Sequence, residues 1–230
     1  MDTSYSYQDS LHLLNNSEWN KLSLQNRAAV MQSIENEVAR REGRPPCNVS
    51  LFSEAPRNGL ISAGKYNRAN GSIEINAYHL NGNTDGCLNT IMHEGRHAYQ
   101  HKAAKGEIPH YNQAELKAWR DNMKPGHYIE PEKNRRAYYN QPLEADAREY
   151  AFITSKQIQS EQKIQNSAAN KGISSFVAKT SASKDSSSST NKGIQNFRDR
   201  LDGLSNNVVP DARNTEKPKG NTQTNSNTQM

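Results

Sequence analysis

Apolar residues recur every three or four positions from Leu22 to Arg41, which places them along one side of a helix. Such a stripe is typical of an amphipathic helix that packs on a core. Ser23 carries a hydroxyl group of the kind that caps helix N-termini, and Gly43 with the Pro45-Pro46 pair is expected to end the helix. We therefore predict a first helix over residues 22–41.

After the prolines, the spacing of apolar residues shortens to every second position, which is typical of β-strands. Residues 47–52 alternate in this way, and two further runs, 60–66 and 72–78, flank Arg68-Ala69-Asn70-Gly71. Asn-Gly tolerates the positive φ angles that a two-residue hairpin turn requires. The pattern predicts one short strand followed by a hairpin, in which Ile73 and Ile75 face the same side.

Helical spacing returns in three segments of the second half of the chain. The first covers residues 87–102, the second covers 113–123 and ends before Pro125-Gly126, and the third starts at Pro142 and runs towards Gln157. Proline is tolerated in the first turn of a helix, because an N–H group there has no partner within the helix. The predicted order is helix, small sheet and three helices, which is an α+β fold.

Composition changes beyond about Ser155, where the chain becomes rich in Ser, Asn, Gln and Lys. Such a segment lacks the apolar side chains that a core requires. We therefore expect a folded domain over residues 1–155 and a largely disordered basic tail over 156–230. Within the tail, residues 193–204 place four apolar side chains at helical spacing, which fits a short partner-binding helix or a transient one.

The net positive charge is confined to this tail. Residues 1–155 contain 18 Lys+Arg and 18 Asp+Glu, whereas residues 156–230 contain 11 and 6, which accounts for the formal charge of +5. A nucleic-acid-binding domain usually carries a basic patch that shifts its own balance. In the tail the cations are interleaved with acids, and no Tyr or Trp is present for base stacking. We therefore do not expect nucleic acid as a partner, and we interpret the tail as a linker.

The remaining composition bears on location and on cysteine chemistry. No run approaches the roughly 20 apolar residues that span a bilayer, and the N-terminus has neither a basic start nor an apolar stretch. We expect no membrane partner, and a location in the cytoplasm or export by a route that needs no N-terminal signal peptide. Cys47 and Cys87 lie far apart in no metal-binding spacing, so we interpret both as buried thiols.

The sharpest chemical pattern is His93-Glu94-Gly95-Arg96-His97, within the predicted 87–102 helix. Residues four apart project from one face of a helix, so the two imidazoles can share one ion. Zinc in a catalytic site takes three protein ligands and leaves one position for a water, which it activates as a nucleophile. His93 and His97 are therefore predicted as two zinc ligands, and Glu94 lies beside them within reach of that water.

A third ligand has to come from another element. His101 lies on the same stripe, but the eight residues that separate it from the first histidine rise about 12 Å, far beyond one coordination sphere. Glu144 is the favoured candidate, because it lies in the first turn of the predicted last helix, where Ala147 and Ala151 would allow close packing. The alternatives that remain open are Asp146, Glu149, His110 and His127.

The last helix also carries the spacing E-x-x-A-x-x-aromatic-A, formed by Glu144, Ala147, Tyr150 and Ala151. Together with the H-E-x-x-H motif, this spacing resembles the zincin metallopeptidases, and more narrowly the gluzincin-like enzymes of the ImmA/IrrE type. The resemblance covers two short motifs and the order of elements over residues 15–155. It implies a small sheet packed on the active-site helix, Glu144 as the third zinc ligand and Glu94 as the general base. Similar compact zincin domains occur in bacterial toxins, effectors and mobile-element proteins.

One position departs from the pattern of these relatives. They often have Asp four residues after the glutamate, where this chain has Arg148. Such second groups normally fix the orientation of a ligand histidine. Asp146 and Glu149 are expected to point elsewhere on the helix, so the motif does not identify this partner.

Other parts of a peptidase site have several candidates. Four side chains could either donate to an oxyanion or simply pack: Tyr138, Tyr139, Tyr128 and His127. In zincins a peptide substrate usually lies extended along an edge strand above the motif helix. Either Ser72–Asn76 or Gly64–Tyr66 could present that edge here.

Three hypotheses for function follow. The first is a zinc-dependent endopeptidase that hydrolyses a protein or peptide partner. The second is a bacterial effector or toxin that carries this peptidase, suggested by the basic polar tail and the missing signal peptide. The third is a binding module that has kept the fold, with or without metal, and has lost catalysis.

Overall fold

The computed structural model describes residues 4–56 and 61–170. These residues form an α+β structure of helices around a three-stranded sheet, which confirms the predicted class. The helices are α1 (Tyr7–Leu13), α2 (Asn16–Trp19), α3 (Leu24–Glu42), α4 (Ala77–Leu80), α5 (Thr84–Lys105), α6 (Gln113–Asn122), α7 (Arg135–Asn140) and α8 (Pro142–Asn170). The strands are β1 (Val49–Phe52), β2 (Gly64–Asn67) and β3 (Ser72–Asn76).

Helix α3 begins and ends close to the predicted positions. The Ser23 hydroxyl accepts a hydrogen bond from the Asn26 N–H at 3.2 Å, as an N-cap does. Gly43 ends the helix with a φ of 69°, a left-handed conformation that glycine adopts without steric cost. The short helices α1 and α2 were not predicted, because a helix of one or two turns is too short to show periodicity.

The sheet has the strand order β1-β3-β2. Strand β1 pairs in parallel with β3, with Leu51 opposite Ile75, and β2 pairs with β3 in the antiparallel sense. The prediction that Ser72–Asn76 could present an edge is therefore wrong, because this strand is bonded on both sides. Among the described strands, β2 is the edge on the side of α5, which it contacts.

The connection between β2 and β3 is longer than the predicted two-residue turn. Asn67 pairs with Ser72, so residues 68–71 form the loop, and the Gly71 N–H donates to the Asn67 carbonyl at 2.8 Å. The positive φ predicted for the glycine is confirmed, since Gly71 has a φ of 71°. The Asn70 side chain accepts from the Ser72 N–H at 3.0 Å, a local bond that favours the longer loop.

Among the described elements, helix α5 contacts α3, α8, β2 and β3. Ile73 and Ile75 are both fully buried, which confirms that they share the inner face of the sheet. Ala147 and Ala151 of α8 are also fully buried, and small side chains permit a close approach between helices. Cys47 and Cys87 are free and buried as predicted, and burial raises the pKa of each thiol to about 12.

A chain of buried charged groups links α3, α5 and α8. The Arg44 guanidinium, fully buried after the end of α3, donates to Glu35 at 2.6 and 2.9 Å and to Glu42 at 2.6 Å. Arg96 of the motif lies 3.7 Å from Glu42 and donates to Asp146 of α8 at 2.8 and 2.9 Å. Buried charges of this kind are tolerated only when they are paired, so these groups fix how the three helices meet.

Gly95 is where this network touches the motif helix. A β-carbon built there would lie 2.9 Å from Arg44 Nη2 and 3.0 Å from Glu35 Oε2. We expect Gly95→Ala to lower the free energy of unfolding by about 1–3 kcal/mol, because the fully buried ion pair between Arg44 and Glu35 would have to shift. Thermal and urea unfolding would measure it. Asn89→Ala, at an exposed position of the same helix, should change stability by less than about 0.5 kcal/mol; equal effects of both would contradict the packing explanation.

Helix α8 extends well beyond the predicted end of the domain. Residues 156–170 continue the helix, so the prediction of a disordered tail that starts at residue 156 is wrong for this part. The extension is anchored by the fully buried Ile158 and by Glu161, which accepts hydrogen bonds from Arg41 at 2.8 and 2.9 Å and from Tyr7 at 2.6 Å. The rest of the predicted tail, with the 193–204 segment, lies outside the described residues.

Across the part of the chain that the structure describes, no helix is both long and apolar enough to cross a membrane.

Candidate metal centre

The two motif histidines lie in the middle of α5. The Asn83 side chain caps the helix by accepting from the Gly86 N–H at 2.7 Å, and Gly106 ends it with a φ of 77°. The histidines are therefore more than one turn from either end of the helix. They lie in its middle part, where a helix frays least. Their Nε2 atoms are 3.1 Å apart and their ring planes are nearly perpendicular, at 89°.

Glu144 reaches the same point from the first turn of α8. Its Oε2 lies 3.3 Å from His93 Nε2 and its Oε1 lies 3.3 Å from His97 Nε2. The Glu144 side chain is only 1% exposed, so its charge depends on these partners. A further partner is Tyr128, whose hydroxyl donates to Glu144 Oε1 at 2.7 Å. We call His93, His97 and Glu144 the metal group.

The metal group could hold a metal ion. Zinc bonds of about 2.0–2.1 Å in tetrahedral geometry hold neighbouring donor atoms about 3.3–3.4 Å apart. The two Nε2 atoms are 3.1 Å apart and each is 3.3 Å from the nearer Glu144 oxygen, spacings close to those that one small ion requires. Two imidazole nitrogens and one carboxylate oxygen are also the donor types found in catalytic zinc sites.

Ionisation of the group is set by burial and by mutual contacts. Burial raises the pKa of Glu144, but hydrogen bonds with His93 and His97 outweigh it and hold the pKa well below its usual range. Burial alone would lower the pKa of His97. The hydrogen bond to Glu144 and the negative charge of Glu94 have the larger combined effect, so the pKa of His97 is raised. Glu144 is thus a carboxylate at neutral pH, as a metal ligand has to be.

Gln100 orients one of the two histidines. This fully buried side chain donates through Nε2 to the Leu143 carbonyl at 2.9 Å and to Asp146 Oδ2 at 2.6 Å. Its Oε1 therefore faces His97 Nδ1, at 2.8 Å, and can only accept. Nδ1 consequently carries a proton, so Nε2 is the nitrogen that faces Glu144 and that would bind a metal ion once it has lost its own proton.

Asp146 completes this support, because Arg96 holds its carboxylate with two hydrogen bonds. Asp146 points away from the ligand histidines, as expected, but it supports the site through Gln100. Its role is indirect, since its oxygens are bonded to Arg96 and Gln100 and not to the metal group. Arg148 takes no part: it donates to the Tyr139 carbonyl and its guanidinium lies 3.4 Å from the centroid of that ring.

Gln100→Ala is expected to weaken zinc binding by about 10- to 100-fold, because His97 would lose the partner that fixes its tautomer and ring orientation. Competition with a chromogenic chelator would measure the affinity. His101→Ala is the matched control on the same helix, since the His101 ring contacts the Tyr66 hydroxyl at 3.0 Å and lies outside the metal group. An unchanged affinity in Gln100→Ala would show that this support is dispensable.

All three residues of the metal group line a cleft of about 570 Å³. Glu94, which directly follows His93, lines the same cleft and is 8% exposed. Its position is set by β2, since a β-carbon built at Gly64 would lie 3.4 Å from Glu94 Cγ and 2.7 Å from Thr90 Cγ2. Only a glycine allows the edge strand to pass this close to the motif helix.

The tyrosine candidates separate into two kinds. Tyr138 and Tyr128 line the cleft, and their rings are 6.2 Å apart at 82°. Burial and the nearby Glu144 carboxylate raise the pKa of both hydroxyl groups, so both keep their protons at neutral pH and can donate. Tyr139 is 56% exposed and bound to Arg148, so it is not part of the cleft.

The alternative ligands also lie elsewhere. His110 Nε2 is 2.8 Å from Glu115, and its Nδ1 is 3.2 Å from the Tyr99 hydroxyl. His127 and Glu149 are exposed residues outside the described metal group. Of the five candidates for the third position, the structure brings only Glu144 to the two histidines.

The supporting role of Gln100 was missed in the sequence. Its signal was present, because Gln100 follows His97 by three residues and so lies on the same face of α5. The role of Tyr128 carries no such local signal, since sixteen residues separate it from Glu144.

Comparison of the chain with protein-family models, with curated proteins and with solved structures finds no match.

Proposed function

We propose that this protein is a zinc-dependent endopeptidase with a zincin-like site, in which His93, His97 and Glu144 hold the metal. One observation carries the proposal: the two histidine Nε2 atoms lie 3.1 Å apart and each lies 3.3 Å from one Glu144 oxygen, in a cleft that Glu94 also lines. Structural zinc sites are usually closed by four protein ligands. Three ligands in an open cleft, beside a free carboxylate, are the arrangement of a catalytic site.

Zinc is the metal that we assign, because two imidazoles and one carboxylate at tetrahedral spacing suit it better than the all-oxygen shells of calcium or magnesium. When bound, it would polarise the scissile carbonyl and lower the pKa of a water molecule towards neutrality. The identity of the metal is open to direct measurement.

The chain's own residues supply the remaining chemistry. Glu94 accepts the proton of the attacking water and returns it to the leaving amine, as a general base and then a general acid. Tyr138 supplies a neutral hydroxyl donor for the oxyanion, because it lines the cleft next to the metal group. The Tyr128 hydroxyl donates to Glu144, so we propose that Tyr128 holds this ligand in position.

A peptide substrate has a docking edge beside Glu94. Among the residues that the structure describes, strand β2 is bonded to β3 on one side only, and its Gly64 end lies against Thr90 and Glu94 of α5. An extended peptide can bind to such an edge through backbone hydrogen bonds, which favours peptides over other substrates of hydrolysis. Tyr66 and the neighbouring residues of β2 form one wall of the same cleft.

Metal removal tests the proposal. The full chain should contain about one zinc per molecule by plasma mass spectrometry and should cleave a reduced and alkylated serum albumin. The chelator 1,10-phenanthroline should lower the rate by at least about 100-fold, because the water then loses its activation, and one equivalent of zinc should restore it. The non-chelating 1,7 isomer is the control. Stoichiometric zinc without any cleavage would favour the binding module, and cleavage that resists the chelator would contradict a metal mechanism.

A further inference from the structure

The cleft above the metal group is lined by more cations than acids. Four cationic side chains line it: Lys65, Arg68, Lys124 and Lys133. Apart from Glu144 of the metal group and Glu94, Glu130 is the one acidic residue among the described residues that line the cleft. Residues 1–155 contain 18 cationic and 18 acidic residues, so this excess is a local arrangement and does not reflect a basic domain.

Two of the cations are already engaged within the protein. Lys65 is 3.1 Å from Glu74, and Lys124 is 2.6 Å from Asp121. Within the described residues, Arg68 and Lys133 form no ion pair. They come from different parts of the chain, since Arg68 follows β2 and Lys133 precedes α7. A substrate that occupies the cleft would therefore meet two cations that are free to bind it.

Arg68 is the better placed of the two. Its guanidinium carbon lies 5.6 Å from the centroid of the Tyr128 ring, whose hydroxyl is 2.7 Å from Glu144. One aromatic ring thus separates it from the metal group. An extended chain advances about 3.3 Å per residue, and Arg68 follows Gly64, the residue beside Glu94, by four positions. A peptide along β2 that presents its scissile bond to Glu94 therefore brings a side chain about four residues away beside Arg68.

We propose that this site selects peptides with an aspartate or glutamate about four residues from the scissile bond, and that Arg68 binds this carboxylate. The inference rests on the proposed peptidase function and adds the substrate class to it. A planar guanidinium can bind a carboxylate through two parallel hydrogen bonds, which a lysine cannot do. Lys133 adds charge to the same cleft without that geometry.

A proteome-derived peptide library tests the proposal, because it offers the site a wide range of natural sequences as substrates. The zinc-loaded full chain would be incubated with the library, and the cleaved bonds would be identified by mass spectrometry. We expect acidic residues to be enriched about 5- to 20-fold at one position near the cleaved bond, as one charge-assisted pair allows. Arg68→Glu should abolish this preference or turn it towards Lys and Arg. Arg135→Glu, an exposed residue outside the cleft, is the matched control and should keep it.

The outcomes separate the two proposals. Cleavage without acidic enrichment, or enrichment that survives Arg68→Glu, would overturn the inference and leave the peptidase intact. No cleavage of any peptide by the zinc-loaded chain would overturn the proposed function, and the inference with it. Zinc content and unfolding temperature of both variants should equal those of the wild type, because neither residue contacts the metal group.

Discussion

Replacing Glu94 by glutamine is expected to lower kcat/KM for peptide hydrolysis by about 10²- to 10⁴-fold and to leave zinc binding unchanged. Glutamine has the same shape but cannot accept and return the proton of the attacking water. Glu94 is not one of the three donors of the metal group, so the metal should stay in place. Initial rates on one peptide from the cleaved library, together with zinc content, would measure both effects.

A matched control for this substitution is Glu132→Gln, at an exposed position that does not line the cleft. It should keep the wild-type rate and the wild-type zinc content. Wild-type activity in Glu94→Gln would exclude Glu94 as the general base and with it the mechanism proposed above. A variant that lost its zinc as well would instead place Glu94 among the groups that hold the metal.

Removing the Glu144 carboxylate should have the second large effect. We expect Glu144→Ala to weaken zinc binding by more than about 100-fold, since even the loss of an indirect partner of a metal ligand commonly costs 10- to 100-fold. The two histidines would remain, and the Tyr128 hydroxyl would lose its acceptor. Zinc affinity by chelator competition is the measurement, and circular dichroism would check that α8 still folds.

Glu149→Ala is the control for Glu144, because it removes an exposed carboxylate from the same helix. Its zinc affinity and folding should match those of the wild type. If Glu144→Ala bound zinc as tightly as Glu149→Ala, the third ligand would have to be another group. Tyr128→Phe gives an intermediate case, in which the ligand stays and only its hydrogen bond is lost.

Much of the site could be predicted because its parts are local. Residues four apart on a helix share a face whatever surrounds them, so the spacing of His93 and His97 was enough to pair them. The start of the last helix at Pro142 was also predicted correctly, because proline is favoured in the first turn of a helix. This start places Glu144 in the first turn. Cap and breaker residues likewise predicted both ends of α3 to within two residues.

Errors arose where the outcome depends on distant partners. Alternation predicts that residues 72–76 form a strand, but only the neighbours of that strand make it central and leave β2 at the edge. A polar composition predicted disorder from residue 156, yet Arg41 and Tyr7, more than a hundred residues earlier, bind Glu161 and hold the helix in place. Few apolar residues suffice when such partners exist.

The sequence by itself determined the class of the fold, the two histidines and Glu94, because helical periodicity and side-chain chemistry are properties of neighbouring residues. Only the tertiary structure decided which acid joins the histidines and which groups support it. Glu144 and Asp146 are two residues apart on one helix, yet one meets the metal group and the other meets Arg96 and Gln100. The packing of α8 against α5 makes that choice, since it alone sets which face of α8 turns towards the cleft.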